Sequence, residues 1–61
     1  MIHNRREFMV LVEGTKNGNK EEVLITHIKT YTKYEARKIA ENDAAEQFSL
    51  ENPKATKVSE Y

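Results

Sequence analysis

The segment from Tyr31 to Phe48 constrains the fold most, because it is the stretch best suited to form a long helix. It contains neither Gly nor Pro, and most of its residues are strong helix formers. Thr32 is followed three residues later by Glu35, the capping-box spacing that marks a helix N-terminus. Helical periodicity places these apolar residues on one arc: Ala36, Ile39, Ala40, Ala44 and Phe48. The small alanines predict a helix that packs closely on the surface it covers.

Two short apolar runs before this helix predict a β-hairpin. The runs Glu7–Glu13 and Glu21–Lys29 are too short for helices and rich in β-forming residues. Asn17-Gly18 lies between them, and this dipeptide is typical of a two-residue type I′ turn. The segment Ala55–Tyr61 alternates in polarity and follows Pro53, so it predicts a short last strand.

If Asn17-Gly18 is a two-residue turn, Val12 faces Val23 and Phe8 faces His27. This register also pairs Glu13 with Glu22, two like charges, and a longer loop with a different register would relieve that repulsion. One face of the hairpin would then carry Phe8, Val10, Val12, Val23 and Ile25, and the other Met9, Leu11, Leu24 and Ile28. One helix covers only one face of a sheet. The second face would therefore keep large apolar side chains uncovered, a pattern that marks interaction surfaces.

These elements predict an α+β fold of ββαβ order, with a three-stranded antiparallel sheet and one helix packed on one face. The most apolar strand, Glu7–Glu13, belongs in the centre of the sheet, and the last strand becomes an edge. A chain of 61 residues makes one small domain, residues 1–61. Its polar and basic start, Met1–Arg6, is expected to be frayed.

Composition excludes several classes of function. Ten Lys and Arg balance ten Asp and Glu, which argues against a general nucleic-acid binder. The chain has no Cys and only two histidines, His3 and His27, so we expect no metal site, no cofactor and no enzymatic activity. No apolar run is long enough for a membrane span, and a cytoplasmic protein is expected.

The layout resembles that of small phage proteins that inhibit host machinery, the T7-type inhibitor of bacterial RNA polymerase in particular. The matching pieces are FMVLVEG, EEVLITHI, YTKYEARKIAEND and, after Pro53, ATKVSEY. Some anti-CRISPR proteins have a similar size and layout. The polymerase inhibitor is known for arginines on an edge strand, where this chain has Lys57 and Ser59. The resemblance implies a phage-encoded inhibitor in the host cytoplasm that blocks a larger complex, either RNA polymerase or a CRISPR–Cas effector.

The leading hypothesis is a non-enzymatic protein-interaction module. Its predicted partner-binding residues are Met9, Leu11, Leu24 and Ile28 on the uncovered face, with Lys57 and Tyr61 at the edge. The alternative is a nucleic-acid-binding module that uses the basic N-terminus and the hairpin tip, through Arg5, Arg6, Lys16 and Lys20. A homodimer through the uncovered face is compatible with either function.

Overall fold

The computed structural model describes residues 6–61, which form three strands and one helix. In chain order these are β1 (Arg6–Lys16), β2 (Asn19–Thr30), α1 (Lys33–Gln47) and β3 (Glu51–Glu60). The sheet is antiparallel, in the order β2-β1-β3, with α1 packed on one face. The predicted α+β fold and the central position of the first strand are confirmed.

The helix begins at the predicted cap, and part of its predicted apolar arc is buried. The Thr32 hydroxyl accepts a hydrogen bond of 3.1 Å from the Glu35 backbone N–H. The apolar side chains that α1 buries are only three alanines, Ala36, Ala40 and Ala44. Because alanine has a short side chain, the helix axis lies close to the sheet. Ile39 and Phe48, which share the predicted arc, stay well exposed at its margins.

The core lies between α1 and the inner face of the sheet. Its buried apolar residues are Phe8, Val10, Val12, Ile25, Ile28, Ala36, Ala40, Ala44 and Leu50. Val23, Ala55 and Val58 pack against this set while partly exposed. The large side chains come from the sheet and from Leu50, and the small ones come from the helix, so the core is thin and depends on close contact.

The connection between α1 and β3 supplies a core residue. Leu50 is only 4% exposed. It packs against Gly14, where an added Cβ would lie 3.0 Å from both the Leu50 Cβ and the Glu51 carbonyl oxygen. Glycine at position 14 therefore allows the chain after the helix to pass directly over β1. The last strand accordingly begins at Glu51, four residues earlier than predicted.

The β1–β2 hairpin has the predicted turn and, over most of its length, the predicted register. Asn17 and Gly18 both have positive φ, 53° and 80°, as a type I′ turn requires. Pairing then runs without a break from the turn to Val10, which lies opposite Ile25. Between Val10 and Phe8 the register shifts, and His27 takes a positive φ of 59°. This is a β-bulge, in which one extra residue is inserted into β2.

The bulge corrects two predictions. Phe8 lies opposite Ile28, not His27, because the extra residue moves every later β2 side chain to the other face. Ile28 is 5% exposed and belongs to the core, so its predicted place on the uncovered face is wrong. His27 leaves the core side and lies on the opposite face.

The first described residue is already part of the sheet. Arg6, predicted to belong to a frayed start, is the first residue of β1 and pairs with Thr30. Its guanidinium binds the Glu60 carboxylate through two hydrogen bonds of 2.6 and 2.7 Å. This bond, and to a smaller extent the positive charges of Arg6 and Lys33, lowers the pKa of Glu60, while partial desolvation opposes the shift. The rest of the predicted frayed segment, Met1–Arg5, lies outside the described residues.

Candidate functional site: the open face of the sheet

The candidate site is the sheet face opposite α1, here called the open face. Alternate β1 residues point away from the helix, and they bring Glu7, Met9, Leu11 and Glu13 to this side. Leu24 of β2 and Lys57 and Ser59 of β3 lie beside them in register. No element among residues 6–61 packs over this face.

A shallow apolar cleft occupies the middle of the open face. It measures about 210 Å³ and is lined by Met9, Leu11, Leu24, Lys57 and Ser59. Leu24 is 53% exposed, although it lies next to the half-buried Leu11 in the sheet. Burying a leucine fully is worth about 1.5–3 kcal/mol, so its exposure leaves free energy that a partner can recover.

Lys57 combines an apolar stem with a free charge at the edge of this cleft. It pairs with Leu11 in the β1–β3 register, so its methylene groups lie along the apolar wall. Its ammonium group makes no ion pair within residues 6–61. The edge of the cleft therefore offers a cation to a partner without first breaking an internal contact.

One end of the open face carries a cluster that the sequence did not predict. The His27 Nδ1 lies 2.6 Å from the Glu7 carboxylate. The His27 ring also stacks on Tyr61, with centroids 5.5 Å apart and planes inclined by 14°. The Tyr61 backbone N–H donates to the Glu7 carbonyl at 2.9 Å. The β-bulge at His27 brings this side chain to the open face. The sequence of β2 contains no Gly or Pro that would have indicated a bulge.

The opposite end, toward the hairpin turn, is charged. Glu13 lies between Glu22 of β2 and Lys54 of β3 in the same row of the sheet. The Lys20 ammonium reaches its carboxylate at 3.3 Å. This end therefore carries both acidic and basic groups, with Glu13 and Glu22 close to Lys20 and Lys54.

The structure gathers five of the six predicted partner-binding residues. Met9, Leu11, Leu24 and Lys57 line the cleft, and Tyr61 lies on the same face beside His27. Ile28 alone is excluded by its burial.

The residues predicted for nucleic-acid binding are not gathered. Arg6 begins β1 and Lys16 ends it, which places them about 33 Å apart along an 11-residue strand. Arg6 is bound by Glu60, and Lys20 by Glu13. Arg5 lies outside the described residues.

Within residues 6–61, no group of three or more His, Asp or Glu side chains is arranged to hold a metal ion. In the same range, no helix is both long and apolar enough to cross a membrane. Comparison with protein-family models, curated proteins and solved structures gives no match for this chain.

Proposed function

We propose that this chain is a non-enzymatic protein-interaction module whose binding surface is the open face. The observation that carries the proposal is the cleft of Met9, Leu11 and Leu24, which stays uncovered on the side away from α1. A small domain exposes a contiguous apolar patch at a cost in solubility, and such patches are typical of binding surfaces.

The layout supports a specific role for the module. A small ββαβ domain that presents an open sheet face is suited to block a surface of a larger complex. By the resemblance to small phage inhibitors, we propose that this chain is phage-encoded and acts in the host cytoplasm on RNA polymerase or a CRISPR–Cas effector. Lys57 at the cleft edge would meet an acidic group on that target, in place of the arginine of the polymerase inhibitor.

The proposal is tested by binding to purified bacterial RNA polymerase and to purified Cas effector complexes. Leu24→Lys should weaken binding by at least about tenfold, because it places a charge in the apolar cleft. Tyr34→Lys is the matched control, since Tyr34 is 66% exposed on the helix, away from the open face. Equal binding by both variants and the unchanged chain would contradict the assignment of the surface, and the absence of binding to either complex would reject both targets.

A further inference from the structure

The charges on the open face are arranged so that the face is complementary to itself. Two rows of the sheet show this. In one row Glu22 of β2 and Lys54 of β3 flank Glu13 of β1. In the next row toward the turn, Lys20 of β2 and Glu51 of β3 flank Thr15. Each row thus carries opposite charges on its two outer strands, and the order reverses between the rows.

We propose that the open face binds a second copy of this chain, with a twofold axis lying between the two sheets and parallel to β1. This inference rests on the proposed function, because it names a partner for the same face. Rotation about such an axis places β2 of one copy over β3 of the other, at the same height along the strands. Glu22 then meets Lys54 of the second copy.

The same rotation also covers the apolar residues at the centre of the open face. Leu11 and Met9, on the middle strand, pack on their own symmetry mates. Leu24 of one copy covers the methylene stem of Lys57 of the other, since these residues occupy one row with Leu11. Glu13 approaches its own mate near the axis, and its bond of 3.3 Å to Lys20 offsets that repulsion. Thus the apolar centre and the outer charges of the two rows near the turn find matched partners in one arrangement, whereas Glu7, on the same strand as Glu13, also approaches its own mate.

The area of the open face indicates how tightly two copies should bind. Three strands about 4.8 Å apart and about 33 Å long give a footprint of roughly 470 Å². Stable specific interfaces bury about 800 Å² on each partner, so this dimer belongs to the weak class. We expect dissociation in the micromolar range or above. The monomer released on dilution presents the same face to another protein, so the two partners compete.

Charge exchange tests this arrangement directly. Molecular mass is measured by sedimentation equilibrium over a dilution series for the unchanged chain, Glu22→Lys, Lys54→Glu and the double variant. Each single charge reversal should raise the dissociation constant of the dimer about tenfold, because the twofold axis places the altered pair at two positions in the interface. The double variant should recover most of that loss, since it restores opposite charges across the interface. It also leaves Glu13 with one basic and one acidic neighbour, as in the unchanged chain.

Leu24→Lys supplies a second variant, which should be monomeric throughout, and circular dichroism checks that every variant is folded. A monomer at millimolar concentration, or a double variant as weak as either single one, would overturn the inference. A monomeric chain that still binds polymerase or a Cas effector through Leu24 would overturn self-association alone and leave the proposed function in place. A dimer that binds neither complex would support self-association and count against those targets.

Discussion

Phe8 lies directly opposite Ile28 across the β1–β2 pairing, one residue beyond the partner that a regular hairpin would give it. This relationship decides which β2 side chains enter the core. With the bulge at His27, Ile25 and Ile28 both point toward α1, although they are three residues apart. A regular strand would have put them on opposite faces.

The assignment of the two faces predicts different costs for two similar truncations. Ile28→Ala should lower the free energy of unfolding by about 2–4 kcal/mol, because it leaves a cavity beside Phe8. Leu24→Ala should cost less than about 1 kcal/mol, since Leu24 is already half in water. Urea denaturation of both variants measures the difference. Similar losses would show that the open face is part of the core.

The backbone at His27 predicts which residues that position tolerates. A positive φ is costly for a β-branched residue and easier for Asn. We therefore expect His27→Val to lower the free energy of unfolding by about 1–3 kcal/mol more than His27→Asn. Both variants lose the imidazole that stacks on Tyr61, so the larger loss expected for valine reports the backbone conformation at this position. Equal stabilities in thermal unfolding would argue against the bulge.

The alanine face of α1 predicts a steric effect with a control on the same helix. Ala40→Leu should lower the free energy of unfolding by about 1–3 kcal/mol or more, because the helix must move away from the sheet. Ala45→Leu should change it by less than about 0.5 kcal/mol, since Ala45 is exposed. Chemical denaturation compares the two. A tolerated leucine at position 40 would mean that the helix does not lie close to β1.

The bond between Arg6 and Glu60 predicts an acid-dependent loss of stability. Arg6 lowers the pKa of Glu60 in the folded state. The stabilisation is therefore present above the ordinary pKa of a glutamate and is lost as the pH falls through the lowered folded value. Glu60→Gln should be less stable than the unchanged chain at neutral pH, and the two should converge in acid. Unfolding followed from pH 7 to pH 2.5 measures this, and a constant gap would contradict the linkage.

Much of the fold follows from local sequence signals. The cap at Thr32, the alanines of α1 and the Asn17-Gly18 turn each have a short-range cause, and each is present as predicted. The bulge at His27 has no such local mark. It is stabilised by tertiary contacts, since it lets Ile28 fill the core beside Phe8, and those contacts are absent from a strand considered alone.

The candidate site was predictable to the extent that strand alternation defines it. Met9, Leu11 and Leu24 follow from the turn and a regular register, whereas Ile28 lies beyond the bulge and was misplaced. Leu50 was missed for a related reason, because its burial depends on the space left by Gly14, a residue distant in sequence. The stacked pair was missed for the same reason. His27 lies on β2 and Tyr61 follows β3, on the other side of β1, so no local sequence pattern indicates that the two rings meet.

Site-specific photo-crosslinking tests whether the open face is a binding surface. A benzophenone side chain is placed at position 24 in one variant and at position 34, on the helix, in another. Each is irradiated in bacterial lysate, and the adducts are identified by mass spectrometry. We expect adducts at position 24, to a second copy or to a host complex, and few at position 34. Adducts of equal yield at both positions, or none at position 24, would contradict this expectation.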